Sequence, residues 1–308
     1  MRTRDDTKKL LDPYLVSKLR RLDLVARLVV EGFVTGLHRS PYHGFSVEFA
    51  EHRAYMPGDP IRSVDWKVFA KTDRFFIKEF EEETNLRAYL LLDASPSMAY
   101  RSHSGNLSKL EYGVYLAAAL SYLMIQQQDA VGLLVFDDRV RRFIPARSAP
   151  IHLRVLLSEL SGRLGAGESS EARETRIGES LHRLAERLAR RGLAILISDL
   201  MDDPAEVLQG LKHFRHRQHE VVVFHVLDPA EVAFPFQDES VFVDMETRER
   251  LSTTAWEIAP EYRRRLDAWR RRYRRTCREH LIDYVELQTN TPYDVALLRY
   301  LEKRGRLH

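Results

Sequence analysis

A single cysteine, Cys277, stands in 308 residues. An internal disulfide and a cysteine-rich zinc module are therefore excluded, and the composition fits a reducing compartment. Charge of one sign is not in large excess either. The 48 Lys and Arg against 45 Asp and Glu leave a formal +3, too little by itself to mark a nucleic-acid-binding protein. Long apolar runs are missing as well. The longest, Val114 to Ile125, is interrupted by Tyr and Ser and falls short of the roughly 20 residues a bilayer requires. The N-terminal MRTRDDTKKLLDPYL starts basic but carries no apolar signal core. The chain reads as cytoplasmic, with room for peripheral membrane association through partners. No Walker A, GxSxG or HExxH pattern occurs, and no internal repeat. What is present is an ordinary globular balance, 44% hydrophobic and 30% charged, which excludes wholesale disorder.

Periodicity divides the chain near residue 82. Leu15, Leu19, Leu22, Leu24, Val25, Leu28 and Val29 recur at helical spacing, which predicts a helix over 13–35 ended by Gly36. Phe45, Val47 and Phe49 then alternate with Ser46, Glu48 and Ala50 as in a strand, Pro57-Gly58-Asp59 marks a turn, and Arg74 to Phe80 reads as a second strand. Residues 1–82 are thus expected to form a helix plus a small β layer. From residue 83 to 308 short apolar runs alternate with helical patterns. AYLLL (88–92), AVGLLVF (130–136), LAILIS (193–198) and Val221 to Leu227 are each too apolar to face water and predict central strands. Arg139 to Ile144 suggests a hairpin return, and helices are expected at 110–126, 150–164, 177–190, 203–213, 260–280 and 292–303, with a last strand at 281–287. This is the pattern of an α/β fold with a doubly wound, mostly parallel sheet. Gly162 to Glu174 reads as a loop.

Doubly wound sheets bind ligands at the carboxyl ends of their strands. The first strand there ends in Asp93-Ala-Ser95-Pro-Ser97, the third in Ser198-Asp199, and the loop before the helix at Ile177 carries Thr175. Carboxylates and hydroxyls are hard oxygen donors of the kind Mg²⁺ or Mn²⁺ takes. Thr175 fits a helix cap as well as a metal contact, and Asp202 and Asp203 suit a cap on the following helix. Asp93 is placed at a loop end rather than in the core. His213, His216 and His219 are expected to face solvent and the end of a helix dipole. Nine arginines between Arg263 and Arg278 read as a solvated helix face, not as a nucleic-acid site.

DASPS after an apolar strand resembles the metal-ion-dependent adhesion site (MIDAS) of von Willebrand factor A domains. More closely, the stretch from GLHRSPYHGF through HRAYMPGDPIRSVDW to LLLDASPSM resembles the bacterial "domain of unknown function 58" family, and the C-terminal TNTPYDVALLRYLEKRGR is similar to that family's ending. The resemblance implies a von Willebrand A-like, Rossmann-like domain behind a smaller N-terminal part, and an association with MoxR-type AAA+ ATPases. It implies Asp93, Ser95, Ser97, Thr175 and Asp199 as the metal-binding set. Two positions depart from the adhesion-site pattern. Thr175 follows Arg173-Glu174 where glycines are usual, and Ser198-Asp199-Leu200 stands where TDG is usual. The signature Arg53, Tyr55, Pro57, Gly58, Asp59, Arg62, Asp65, Trp66 fits a turn held by Arg–carboxylate pairs with Trp66 packed on the sheet; it also fits a docking surface.

Two functions of different classes follow. The first is a non-enzymatic interaction module: a metal with an open coordination position receives a partner's carboxylate, and a MoxR-type AAA+ ATPase is the partner. The second is a metal-dependent hydrolase or phosphotransferase. No histidine stands beside the first loop, the nearest being His103, and no phosphate loop is present, so the chain is not expected to be an enzyme.

Overall fold

The computed structural model describes residues 12–19, 21–37, 52–54, 75–78, 86–103, 105–164, 177–188 and 190–306. In chain order its elements are α1 (Pro13–Ser17), α2 (Leu22–Leu37), β1 (His52–Ala54), β2 (Phe76–Lys78), β3 (Arg87–Asp93), a 3₁₀ turn (Pro96–Ala99), α3 (Lys109–Gln126), β4 (Ala130–Phe136) and β5 (Val140–Arg147). They continue with α4 (Pro150–Ser161), α5 (Ile177–Arg187), β6 (Leu193–Ser198), α6 (Pro204–His216), β7 (Glu220–Leu227) and α7 (Pro229–Ala233). The last are β8 (Glu239–Val243), β9 (Arg250–Thr254), α8 (Ala255–Glu279), β10 (Asp283–Gln288) and α9 (Tyr293–Gly305).

The four apolar runs are strands, as their composition predicts. They lie in a six-stranded sheet of order β10-β7-β6-β3-β4-β5, parallel throughout except for β5, which returns antiparallel to β4. Alternation within each strand divides its side chains between two faces. Leu90, Leu92, Ile195 and Ile197 face a core built with α2, α3, α4 and α9, while Tyr89, Leu91, Ala194 and Leu196 face one built with α5, α6 and α8. Helices on both faces of a mostly parallel sheet make a doubly wound, Rossmann-like α/β fold. The chain runs outward from β3 through β4 to β5, then resumes on the other side with β6, β7 and β10. The switch point therefore lies between β3 and β6, and the residues after both strands share one edge of the sheet.

Several elements differ from their predicted extents. The helix expected over 13–35 is two: Asp12 Oδ1 accepts the N–H groups of Tyr14 (2.9 Å) and Leu15 (3.2 Å) to start α1, and α2 begins anew at Leu22 and carries Gly36 inside it. Val25, Ala26, Val29 and Phe33 of α2 are buried in the same core as β3 and α3. Helix α8 starts five residues before Pro260, which sits inside it. Ala255 and Ala259 are drawn into a cluster with Phe234, and this packing overrides the proline's preference for a first turn. The hairpin β8–β9 and the short α7 have no counterpart in the sequence reading. Of the N-terminal β layer, β1 and β2 pair antiparallel. Of the strand segment HGFSVEFAEHRAY, His52–Ala54 is β1 and the rest lies outside the described residues, as do the turn at Pro57-Gly58-Asp59 and the stretch 165–176. Among the described residues no helix is long and apolar enough to cross a membrane.

Candidate functional site

Asp93 is the last residue of β3, and its carboxylate organises the turn that follows. Oδ1 accepts the N–H of Ser95 at 2.9 Å, and Pro96 then opens the 3₁₀ turn. This brings the hydroxyls of Ser95 and Ser97 to 3.1 Å from each other. From the neighbouring strand, Ser198 Oγ donates to Asp93 Oδ2 at 2.6 Å and accepts the N–H of Leu200 at 2.9 Å. Leu200 adopts φ 56°, a left-handed conformation, although its side chain is fully buried. Leucine thus takes, at a conformational cost, the backbone shape a glycine would take freely.

Asp199 follows Ser198 and is fully buried. Lys109, the first residue of α3 and itself buried, places its ammonium 2.8 Å from Asp199 Oδ2 and 2.6 Å from Glu231 Oε1. Glu231 belongs to α7, where its other oxygen accepts the N–H of Asp228 in a capping box. Lys109 also lies over the Tyr100 ring, 5.6 Å from its centroid. Burial works against the ammonium, but the charges of Asp199 and Glu231 outweigh it and raise the Lys109 pKa. For Asp93 an upward shift favours the neutral form instead: burial and then the nearby charge of Asp199 push its carboxyl up to about 7. His225, on β7, supports the Asp199 loop from below. Its Nε2 is 2.9 Å from the Asp199 carbonyl and its Nδ1 2.5 Å from the Tyr284 hydroxyl. Burial lowers its pKa to about 4, so the ring is neutral at pH 7. The neutral ring must donate from Nε2 to the carbonyl and accept from Tyr284 at Nδ1.

The structure brings Asp93, Ser95, Ser97 and Asp199 together at the switch point. Thr175 lies outside the described residues, as do Tyr55, Asp59, Arg62, Asp65 and Trp66; Arg53 is described only as backbone, paired with Ile77 in β1–β2. Asp93 is not a solvent-side loop residue as expected but fully buried, because β3 lies in the middle of the sheet. Asp203 caps α6 by accepting from Ala205, as its position predicts, whereas Asp202 accepts the N–H of Gly178 at the start of α5. His219 is buried rather than solvated, edge-on to Phe214, and His213 Nδ1 sits 3.0 Å from His182 Nδ1. The arginines of α8 pair with Glu261, Asp267, Glu279 and Glu286 along a solvated face.

Four residues of the site went unread in the sequence: Lys109, Glu231, His225 and Glu246. Lys109 carried a signal. A lysine at the first helical position opposes the helix dipole and calls for buried acidic partners. Glu246, at the tip of the β8–β9 hairpin, accepts the N–H of Ser97 through Oε1 at 3.0 Å.

The donors fit a small divalent cation. Adjacent ligands around octahedral Mg²⁺ stand about 2.9 Å apart, and the Ser95 and Ser97 hydroxyls are 3.1 Å apart. The buried Asp199 carboxylate is shared with the Lys109 ammonium, 2.8 Å from Oδ2. No group of three or more His, Cys, Asp or Glu forms a metal cluster among the described residues; the set here mixes carboxylates with hydroxyls.

A family model described as "Protein of unknown function DUF58" matches residues 51–280. Uncharacterized proteins of Mycobacterium tuberculosis and Mycobacterium bovis are each 27% identical over 298 residues, covering 96% of this chain and 91% of theirs. Among solved structures, the conserved hypothetical protein BatB from Bacteroides thetaiotaomicron is similar at 18% identity and a TM-score of 0.46, over 72% of this chain and 99% of that one. An aerotolerance-related membrane protein from Bacteroides fragilis gives 18% identity and a TM-score of 0.46, over 71% and 99%.

Proposed function

The chain belongs to the DUF58 family of proteins of unknown function, and we propose that it is a cation-dependent protein-binding module without catalytic activity. The observation that carries this reading is a charge imbalance. Among the described side chains, buried Asp199 and the largely buried Glu231 share one ammonium, Lys109, and buried Asp93 adds a third carboxyl beside Asp199. Full ionisation of these four groups leaves them with an excess of two negative charges in a dry region, a costly arrangement without a counter-charge. Protonation of Asp93 is one way out, and its raised pKa reflects that pressure. A divalent cation is the other.

Asp93, Ser95, Ser97 and Asp199 would hold Mg²⁺ or Mn²⁺, with Thr175 joining them as the resemblance to the adhesion site implies. Bound there, the cation supplies an electrophilic point that attracts a partner's carboxylate. Ser198 fixes the rotamer of Asp93, Lys109 holds Asp199 and Glu231 in place, and His225 fixes the Asp199 carbonyl. These are positioning roles. No histidine faces the Ser95–Ser97 loop among the described side chains of this site, and His103 is exposed. The partner is a MoxR-type AAA+ ATPase, a reading that rests on the family resemblance of the sequence.

Calorimetry with Mn²⁺ tests the site. Wild type is expected to bind and Asp93→Asn to lose at least tenfold in affinity; equal binding by both would remove the metal from the reading. Surface plasmon resonance against a MoxR-type ATPase tests the partner. Chelator and Asp93→Asn should each weaken the complex at least tenfold, since truncating one side of a buried charge contact costs about 2–5 kcal/mol.

A further inference from the structure

One carboxylate reaches this site from elsewhere in the chain. Glu246, 149 residues beyond Ser97, places Oε1 at 3.0 Å from the Ser97 N–H. Ser97 is the last member of the Asp93-x-Ser95-x-Ser97 triplet, and its hydroxyl already meets that of Ser95. The acid of Glu246 therefore stands on the loop that offers hydroxyls to the cation.

The hairpin is built to hold it there. Asp244 Oδ1 accepts the N–H groups of Glu246 at 2.7 Å and Thr247 at 2.8 Å. The Asp244 N–H reaches the Glu249 carbonyl at 2.9 Å, and the Arg248 N–H reaches the Asp244 carbonyl at 3.0 Å. Arg248 takes a left-handed φ of 64° to close the turn. Side-chain caps of this kind fix a turn without glycine. At the base, Phe242 stacks on Phe234 with centroids 5.5 Å apart, and Phe234 meets Tyr262 at 4.4 Å. Tyr262 in turn donates to the Glu231 carbonyl at 3.0 Å. The hairpin is thus anchored to the element that supplies Glu231, and its tip projects onto the triplet. Its other face is open: Val241, Val243 and Leu251 are exposed. Among the described contacts, the aromatic face anchors the base and the charge-assisted hydrogen bond from Ser97 meets the tip, a bond that a second carboxylate can replace in kind.

We propose that Glu246 is an internal carboxylate occupant of the site, standing where a partner's acidic side chain would enter. Partner binding then exchanges one carboxylate for another and frees the hairpin tip. The inference rests on reading the Asp93–Ser97 loop as a cation site, and it adds the regulation of that site: the resting protein is closed by its own acid.

The test uses the full chain with Mn²⁺ and acetate as probes. Mn²⁺ affinity is measured for wild type, Glu246→Gln and Asp93→Asn by electron paramagnetic resonance. Relaxation of the acetate methyl protons at equal bound Mn²⁺ then reports access of an outside carboxylate to the ion. Hydrogen exchange at Ser97 and at residues 244–249 reports closure of the tip. Glu246→Gln is expected to keep Mn²⁺ binding, to raise acetate relaxation at least threefold and to speed exchange at the tip. Saturating acetate should speed tip exchange in wild type. Mn²⁺ binding lost in Asp93→Asn, together with unchanged acetate relaxation and tip exchange in Glu246→Gln, would overturn this inference and leave the cation reading intact. Absence of Mn²⁺ binding by wild type would overturn both.

Discussion

Ser198 on β6 donates a 2.6 Å hydrogen bond to the buried carboxylate of Asp93 on β3, joining the two parallel strands at the point where the strand order reverses. The same hydroxyl accepts from Leu200, so its rotor is committed on both sides. The side-chain geometry of one strand end is thereby tied to the backbone path of the other. Substitutions in the Ser198-Asp199-Leu200 loop are consequently felt at Asp93.

Leu200 tests that tie. Its left-handed backbone costs about 1–2 kcal/mol relative to an ordinary conformation, while its buried side chain contributes about 2–5 kcal/mol. Leu200→Gly loses the packing but relieves the backbone; Leu200→Ala loses most of the packing and keeps the strain. Both variants should be less stable than wild type, and the glycine variant should be the more stable of the two by up to about 1 kcal/mol. Urea denaturation gives the order directly. An alanine variant clearly above the glycine variant would mean that the loop is not strained in solution.

His225 sets an acid limit on stability. Its pKa falls from 6.5 to about 4 on folding, chiefly through burial and despite the neighbouring Asp199 and Glu286 charges. The folded state refuses a proton that the unfolded state accepts. This contribution is complete above pH 6.5 and is lost as pH falls from there to about 4. Each tenfold loss of proton affinity corresponds to about 1.4 kcal/mol, so the contribution amounts to roughly 3 kcal/mol. The stability gap between wild type and His225→Gln should therefore narrow by about that amount between pH 7 and pH 4. A gap independent of pH in urea titrations would place the imidazole in contact with water.

The helix pair behind β6 depends on close approach. A Cβ on Gly210 would stand 2.7 Å from Leu181 Cβ and 3.0 Å from the Gly178 carbonyl, joining α6 to α5 at backbone distance. Gly210→Ala should cost about 1–3 kcal/mol by overpacking. Gly162 closes α4 at φ −65°, and its added Cβ would meet nothing nearer than 3.4 Å. Gly162→Ala should raise stability by about 0.4–1 kcal/mol, because only the unfolded chain is restricted. Thermal melts of the two variants should move in opposite directions.

How much of this was legible depended on whether the signal was local. Runs such as LAILIS announce a strand buried on both faces without reference to anything else in the chain, and the Asp93-x-Ser95-x-Ser97 triplet occupies five consecutive residues. The β8–β9 hairpin gave no such sign. Its strands are five residues each and its turn, Asp244 to Glu249, has neither glycine nor proline. Asp244 replaces a glycine turn through side-chain bonds to Glu246 and Thr247. Glu246 and Glu231 acquire their roles only when folding brings them to Ser97 and Lys109, 149 and 122 positions away. Pairings over such distances leave no periodicity to read.

Lys109 provides the sharpest probe of the charge balance. Its ammonium is the cation that the described side chains set against Asp199 and Glu231, and all three groups are out of bulk water. Lys109→Met removes a positive charge from a buried network and leaves two carboxylates facing each other and Asp93. Breaking such a pair costs about 3–5 kcal/mol. With chelator present the variant should lose that full amount. With saturating Mg²⁺ the loss should shrink by at least about 1 kcal/mol, because a divalent cation held by Asp93 and Asp199 supplies part of the missing charge and binds the folded state alone. The midpoint of thermal unfolding should accordingly rise more steeply with Mg²⁺ in Lys109→Met than in wild type. If the two proteins respond equally to Mg²⁺, the ammonium and the cation do not share a field, and Lys109 with its two acids is a structural network independent of the Asp93–Ser97 loop.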